Sequence, residues 1–187
     1  MKKIFLLLLI SVFFINCSSD DSLPTDQFVP NAFSINGVDY STPNGYMIQS
    51  TDGVNYGKFA IYLLNGGIIN NEWNGESCDY TSSLTQGVVL NITSPSTTNL
   101  SSGIYYYQLN SVEPSLNETI ISTDMVVTNN CITSSNSISE DQILNGSVNI
   151  VFSNSTYTID YFFTTTSFGS ISGNYSGSLQ LVTDLSD

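Results

Sequence analysis

The sequence contains no histidine and no arginine, and its three lysines stand against 16 acidic residues, a formal charge of −13 at pH 7. Two of those lysines, Lys2 and Lys3, open the chain, so Lys58 is the only cation in all that follows. These absences exclude whole classes of chemistry. Nucleic-acid backbones, phosphates and anionic headgroups are held by clustered cations, and none can cluster here. No nucleic-acid partner is therefore expected. Ser-His-Asp and Cys-His catalysis lack their base, and a His-ligated zinc or iron site lacks its ligand. Oxygen-ligated calcium, paired-carboxylate chemistry and neutral stacking or hydrogen-bonding sites stay open. The acidic excess itself serves solubility and repulsion between neighbouring surfaces. No segment carries a sustained helical period, and the one long apolar run lies near the start.

That run, residues 4–15, is interrupted only by Ser11. Its twelve residues would make a helix of about 18 Å, short of the ~30 Å of a bilayer core. A short apolar segment behind Lys2 and Lys3, with Cys17 at its exit, resembles the leader of a bacterial lipoprotein precursor. The residues before the cysteine, Phe14-Ile15-Asn16, depart from a typical lipobox, which has Leu three positions before Cys and a small residue directly before it. A secreted protein cleaved elsewhere is the other reading, although no A-x-A-like site stands near the end of the run. The resemblance implies a signal peptide over residues 1–16, acyl chains such as palmitate on Cys17, and a membrane contact made through that lipid alone. Ser19-Asp20-Asp21 also resembles the acidic export tag of surface lipoproteins in Bacteroidetes, which implies an outer-membrane anchor facing the cell exterior. The other reading of these residues is a solvated acidic linker. Residues 17–30 then form a flexible tether, with prolines at 24 and 30 and no periodicity.

From residue 31 to 185 the pattern is that of one β domain. Ala32-Phe33-Ser34-Ile35 and Val38-Asp39-Tyr40-Ser41 flank Asn36-Gly37, the strongest short-range hairpin signal. Residues 46–51 and 55–64 flank Asp52-Gly53; Phe59, Ile61 and Leu63 point one way and Ala60, Tyr62 and Leu64 the other, as in a central strand buried on both faces. Strands are expected at 87–93, 104–109 and 119–128, followed by a polar loop over 129–140. In 147–153 and 156–164, a turn at Asn154-Ser155 pairs Phe152 with Tyr157, Ile150 with Ile159 and Val148 with Tyr161, all on one face. Ile171, Gly173, Tyr175, Gly177, Leu179 and Leu181 alternate with Ser172, Asn174, Ser176, Ser178, Gln180 and Val182 as one last strand, buried on one side and wet on the other. The fold class expected is all-β: an antiparallel β-sandwich of about nine or ten strands, with a closed up-and-down, lipocalin-like barrel as the alternative. An outer-membrane barrel does not fit, because the outward residues of that last strand are Ser, Asn and Gln.

Cys78 and Cys131 remain after the anchor. Outside the cytoplasm an even pair reads as a disulfide; the other reading is two thiols in loops that never meet. The opening hairpin 33–40, Ser102-Gly103-Ile104-Tyr105 and the ending 173–179 together resemble small β-rich lipoproteins of Bacteroidetes. That resemblance implies a fold family whose members mostly lack an assigned function, and it transfers no catalytic residue.

Two segments could carry a site. Residues 70–80 hold Glu72, Glu76 and Asp79, three asparagines and the only tryptophan, Trp73, with Tyr80 at the end. Asn70, Glu72, Asn74 and Gly75 have the spacing of an EF-hand start, but Thr81 stands where the bidentate Glu is needed. A calcium loop of another type, a glycan site stacking on Trp73, and a plain solvated loop are the readings. Tyr105, Tyr106 and Tyr107 form the second candidate: on a strand they alternate, so at least one ring can face outward and stack on a neutral sugar. Packing on both sides is the plainer reading. The acids do not converge in the sequence, since Glu140 and Asp141 are adjacent and the partners of Asp39, Asp124 and Asp160 are unknown. The function expected is a cell-surface, lipid-anchored, non-catalytic binding or accessory module whose ligand is a neutral glycan or a partner protein. The alternatives are a structural or adhesive surface component with no small-molecule site, and a carboxylate-dependent glycoside hydrolase.

Overall fold

The structure is a computed structural model that describes residues 29–50, 55–70, 72–73, 78–111 and 113–184. Thirteen strands lie among them: β1 (Ala32–Ile35), β2 (Val38–Ser41), β3 (Asn44–Ser50), β4 (Gly57–Leu64), β5 (Glu72–Trp73), β6 (Gly87–Ser94), β7 (Gly103–Tyr106), β8 (Ser115–Thr128), β9 (Cys131–Ile138), β10 (Ile143–Ser153), β11 (Thr156–Thr165), β12 (Ser170–Gly177) and β13 (Gln180–Asp184). They form two sheets, one ordered β2-β1-β12-β11-β10-β7 and one ordered β5-β13-β3-β4-β6-β8-β9. Neither sheet closes on itself, so the fold is a sandwich and not the alternative barrel.

The turns follow the residues that favour them. Asn36 and Gly37 both take positive φ, as do Asn154 and Ser155, and the registers Ile35↔Val38 and Ser153↔Thr156 close two-residue hairpins. The expected pairs Phe152↔Tyr157, Ile150↔Ile159 and Val148↔Tyr161 all occur. Five of these six side chains are buried between the sheets, while Phe152, at the hairpin end, is half exposed, its ring 4.5 Å from that of Tyr157 and tilted by 31°.

The main core lies between the sheets, with Phe59, Ile61 and Leu63 of β4 packed in one cluster with Ile150, Ile159 and Phe163. Tyr161 lies directly across from Gly173 in the β11–β12 register. A Cβ on Gly173 would stand 2.3 Å from the Tyr161 ring and hydroxyl, so only glycine leaves room for that ring. A second, smaller core covers the outer face of the seven-stranded sheet. There Ile68, Tyr80 and Leu84 of the β4–β6 connection pack over Tyr46, Tyr62 and Leu64. The Cys78–Cys131 disulfide and the Tyr80 amide, which donates to the Asn130 carbonyl, fasten this cover to the start of β9. β4 is thus buried on both faces and central in its sheet, as its two apolar faces require.

Three expectations need correction. The segment 129–140 is not a polar loop: Asn129 and Asn130, both at positive φ, turn β8 back into β9, a Ser/Thr-rich edge strand. Its polarity reflects exposure at a sheet edge, not absence of pairing. The last alternating segment is not one strand. After Gly177 the chain leaves the six-stranded sheet and β13 joins the other, parallel to β3 and β5. The buried parity switches with it: Leu181 is 62 % exposed and Val182 only 2 %. The strand count therefore exceeds nine or ten, and the seven-stranded sheet is mixed rather than purely antiparallel.

Candidate site on the outer face of the six-stranded sheet

Inward positions of β11 are Tyr157, Ile159, Tyr161 and Phe163, so Thr158, Asp160 and Phe162 point outward. By the same alternation Ser147, Asn149 and Val151 of β10 and Ile104 and Tyr106 of β7 share that outer face. Register then arranges them in rows. Tyr106 lies opposite Ser147, which lies opposite Phe162; in the next row Ile104, Asn149, Asp160 and Asn174 stand side by side. Tyr106 is 63 % exposed and Phe162 46 %. Two strand spacings separate them, about 10 Å at ~4.8 Å each. Two exposed rings thus flank a hydroxyl, with an amide and a carboxylate in the adjoining row.

Beyond Asp160 the face dips into a depression of about 420 Å³ lined by Ser34, Asp39, Asp160, Ser172 and Asn174, with Val29 as one wall. That wall is held by a reciprocal amide clamp. Asn174 Oδ1 accepts from the Asn31 amide and its Nδ2 donates to the Val29 carbonyl, while Asn31 Oδ1 accepts from the Ser176 amide. Asp39 faces Ser34 across β1–β2, and Asp160 faces Asn174. The two carboxylates are three strands and two residues apart, about 16 Å between backbones.

The residues singled out from sequence fall in several places. Tyr106 lies on this face. Tyr105 points inward and is buried; its hydroxyl donates to the Ser101 carbonyl at 2.7 Å, and burial raises its pKa. Tyr107 is half-buried and donates to the Glu140 carbonyl at 3.1 Å. Its pKa is raised first by burial and then by the negative field of Glu140, Glu118 and Asp141. Tyr80 belongs to the covering cluster on the opposite sheet. Asp79, at positive φ, accepts the Ile69 amide on its backbone carbonyl. Glu72 and Trp73 are described as backbone only, in β5 against Thr183 and Asp184 of β13. Glu76 and Cys17 lie outside the described residues, as do residues 1–16. Among the described residues no three His, Cys, Asp or Glu side chains are grouped to hold a metal.

Phe162 is the residue that sequence reading passed over, although its signal was present. Within the alternation of β11 it is the one large apolar side chain at a position otherwise filled by Thr158, Asp160 and Thr164. No protein-family model, curated protein or solved structure matches the chain.

Proposed function

We propose that this chain is a lipid-anchored surface module that binds a neutral glycan without transforming it, using the outer face of the six-stranded sheet. The observation that carries the reading is the pair of exposed rings, Tyr106 and Phe162, on either side of Ser147 with Asn149 and Asp160 in the next row. A sugar ring presents an apolar face that stacks on an aromatic and hydroxyls that bond to amides and carboxylates. The ligand is neutral because the face holds Asp160 and Asp39 and no cation, so an anionic polymer would be repelled. Binding is favoured over hydrolysis because Asp160 has Asn149 and Asn174 as its register neighbours and Asp39 stands three strands away, about 16 Å between backbones, whereas glycosidases place two carboxyl groups together at about 5 to 9.5 Å. The leader pattern ending at Cys17 supports a lipid anchor, and Ser19-Asp20-Asp21 supports the outer surface.

Thermal unfolding in the presence of neutral oligosaccharides tests the proposal. A ligand at 100 times its Kd adds about 2.7 kcal/mol, a shift of several degrees for a domain of this size. The shift should vanish in Tyr106→Ala and in Phe162→Ala, each read against its own unfolding without sugar. A shift that needs calcium and disappears in EDTA would move the site to the segment 72–79. A partner protein as ligand would show as no shift with any sugar.

A further inference from the structure

Among the described residues the sandwich is open along one side. β2 ends the six-stranded sheet and β9 ends the seven-stranded one, and between them runs a groove of about 620 Å³. Its apolar wall includes Ile35, Val38, Tyr40, Ile138 and Phe168, and its β9 rim is Ser135, Asn136 and Ser137. Val38 is 54 % exposed, a branched apolar side chain turned toward an unfilled space. Edge strands turn the N–H and C=O of every second residue away from their sheet, which makes them templates for another strand.

Proteins usually guard such an edge with Lys, Pro or a bulge. β9 reads CITSSNSI and has no Lys and no Pro. Register shifts between β8 and β9 fall around Thr123, Val126 and Val127, next to Asp124 at positive φ. Beyond them the ladder is regular at Thr123↔Asn136, Ser122↔Ser137 and Ile121↔Ile138, and this regular stretch borders the groove. The guarding irregularity stops where the groove begins.

We propose that the groove between β2 and β9 is an acceptor site for an extended segment of a partner protein, which pairs with β9 at 135–138 and sets alternate apolar side chains against Val38, Tyr40 and Phe168. This is strand addition, in which main-chain bonds give affinity and pockets for alternate residues give selectivity. Charge narrows the occupant's chemistry. The Asp124 carboxylate stands beside the rim, where it accepts from Asn136 Nδ2 at 2.9 Å. A strand alternating small aliphatic residues with Lys or Thr complements this setting, whereas a second copy of the chain brings another −13.

The test uses the full chain and a synthetic peptide of about ten residues alternating valine with lysine and threonine, read by amide hydrogen exchange and titration. Slower exchange confined to residues 135–138 is expected, with binding roughly tenfold weaker for a proline-interrupted peptide. Val38→Lys and Ser135→Lys, both at exposed positions, should weaken it similarly. Equal binding of the proline-interrupted peptide would mean charge attraction alone and overturn the proposal. So would absence of protection at millimolar peptide, or a sedimenting dimer abolished by Val38→Lys, which would give the groove to a second copy. A glycan-induced shift that persists in Val38→Lys keeps the two surfaces distinguishable.

Discussion

Replacing Tyr161 with phenylalanine should make the protein more stable. The ring is buried in the main core and its hydroxyl has no hydrogen-bond partner among the described residues. The ring sits over Gly173, which leaves room for it and has no side chain to bond the hydroxyl. A buried donor left unsatisfied costs about 1–3 kcal/mol, whereas the packing lost with one oxygen is a small fraction of that. The net gain should be about 1 kcal/mol, or about 2–4 °C in Tm for a domain of this size. Guanidinium unfolding with the disulfide intact should show a higher midpoint at unchanged slope. The pH dependence supplies a second reading. Burial raises the Tyr161 pKa above its ordinary value of 10.0. Its neutral form is therefore favoured by folding, and that contribution is complete below pH 10 and lost as pH rises beyond it. The advantage of the variant should widen above pH 10, by up to about 1.4 kcal/mol per pH unit. A variant destabilised by 1 kcal/mol or more would mean instead that the hydroxyl has a partner, such as a buried water.

The same packing makes Gly173→Ala costly: its Cβ would overlap the Tyr161 ring, and a loss of about 1–3 kcal/mol in chemical denaturation is expected. Reducing the Cys78–Cys131 bridge, or replacing both residues with serine, should lower stability by up to about 4 kcal/mol, because it closes a loop with a sequence separation of 53. Tyrosine fluorescence should report the loosened cover around Tyr80 before the main core unfolds. With a formal charge of −13, stability should rise with salt between about 0.05 and 0.5 M by roughly 1 kcal/mol, and a flat or falling trend would contradict net self-repulsion.

What the sequence reveals and what it hides follow from the period of a strand. Where turn chemistry and alternation agree, as at Asn36-Gly37 and Asn154-Ser155, register is readable to the residue, because a slip by one would send Ile150 and Ile159 into water. The two apolar faces of β4 announce its central place, although not that the second face is covered by Ile68, Tyr80 and Leu84 from its own connection. β9 escapes because an edge strand can be polar on both faces and alternation then carries no signal; only Asn129-Asn130 marks it. The crossover after Gly177 is invisible because Leu179 and Leu181 continue the parity of Tyr175, while the chain has changed sheets. For the candidate site, sequence supplied Tyr106 but not its neighbours. Phe162 is 56 residues further on, and only the shared pairing to Ser147 brings the two rings to one row. Long-range register, not composition, assembles that face.

A nuclear magnetic resonance titration of the protein with neutral oligosaccharides, mapping amide shifts onto the two sheets, tests sugar binding by the six-stranded sheet. Shifts should cluster at Ile104, Tyr106, Ser147, Asn149, Asp160 and Phe162 and be abolished when Tyr106 and Phe162 are both replaced by alanine. Shifts clustered on the seven-stranded sheet, or binding that survives the double replacement, would contradict it.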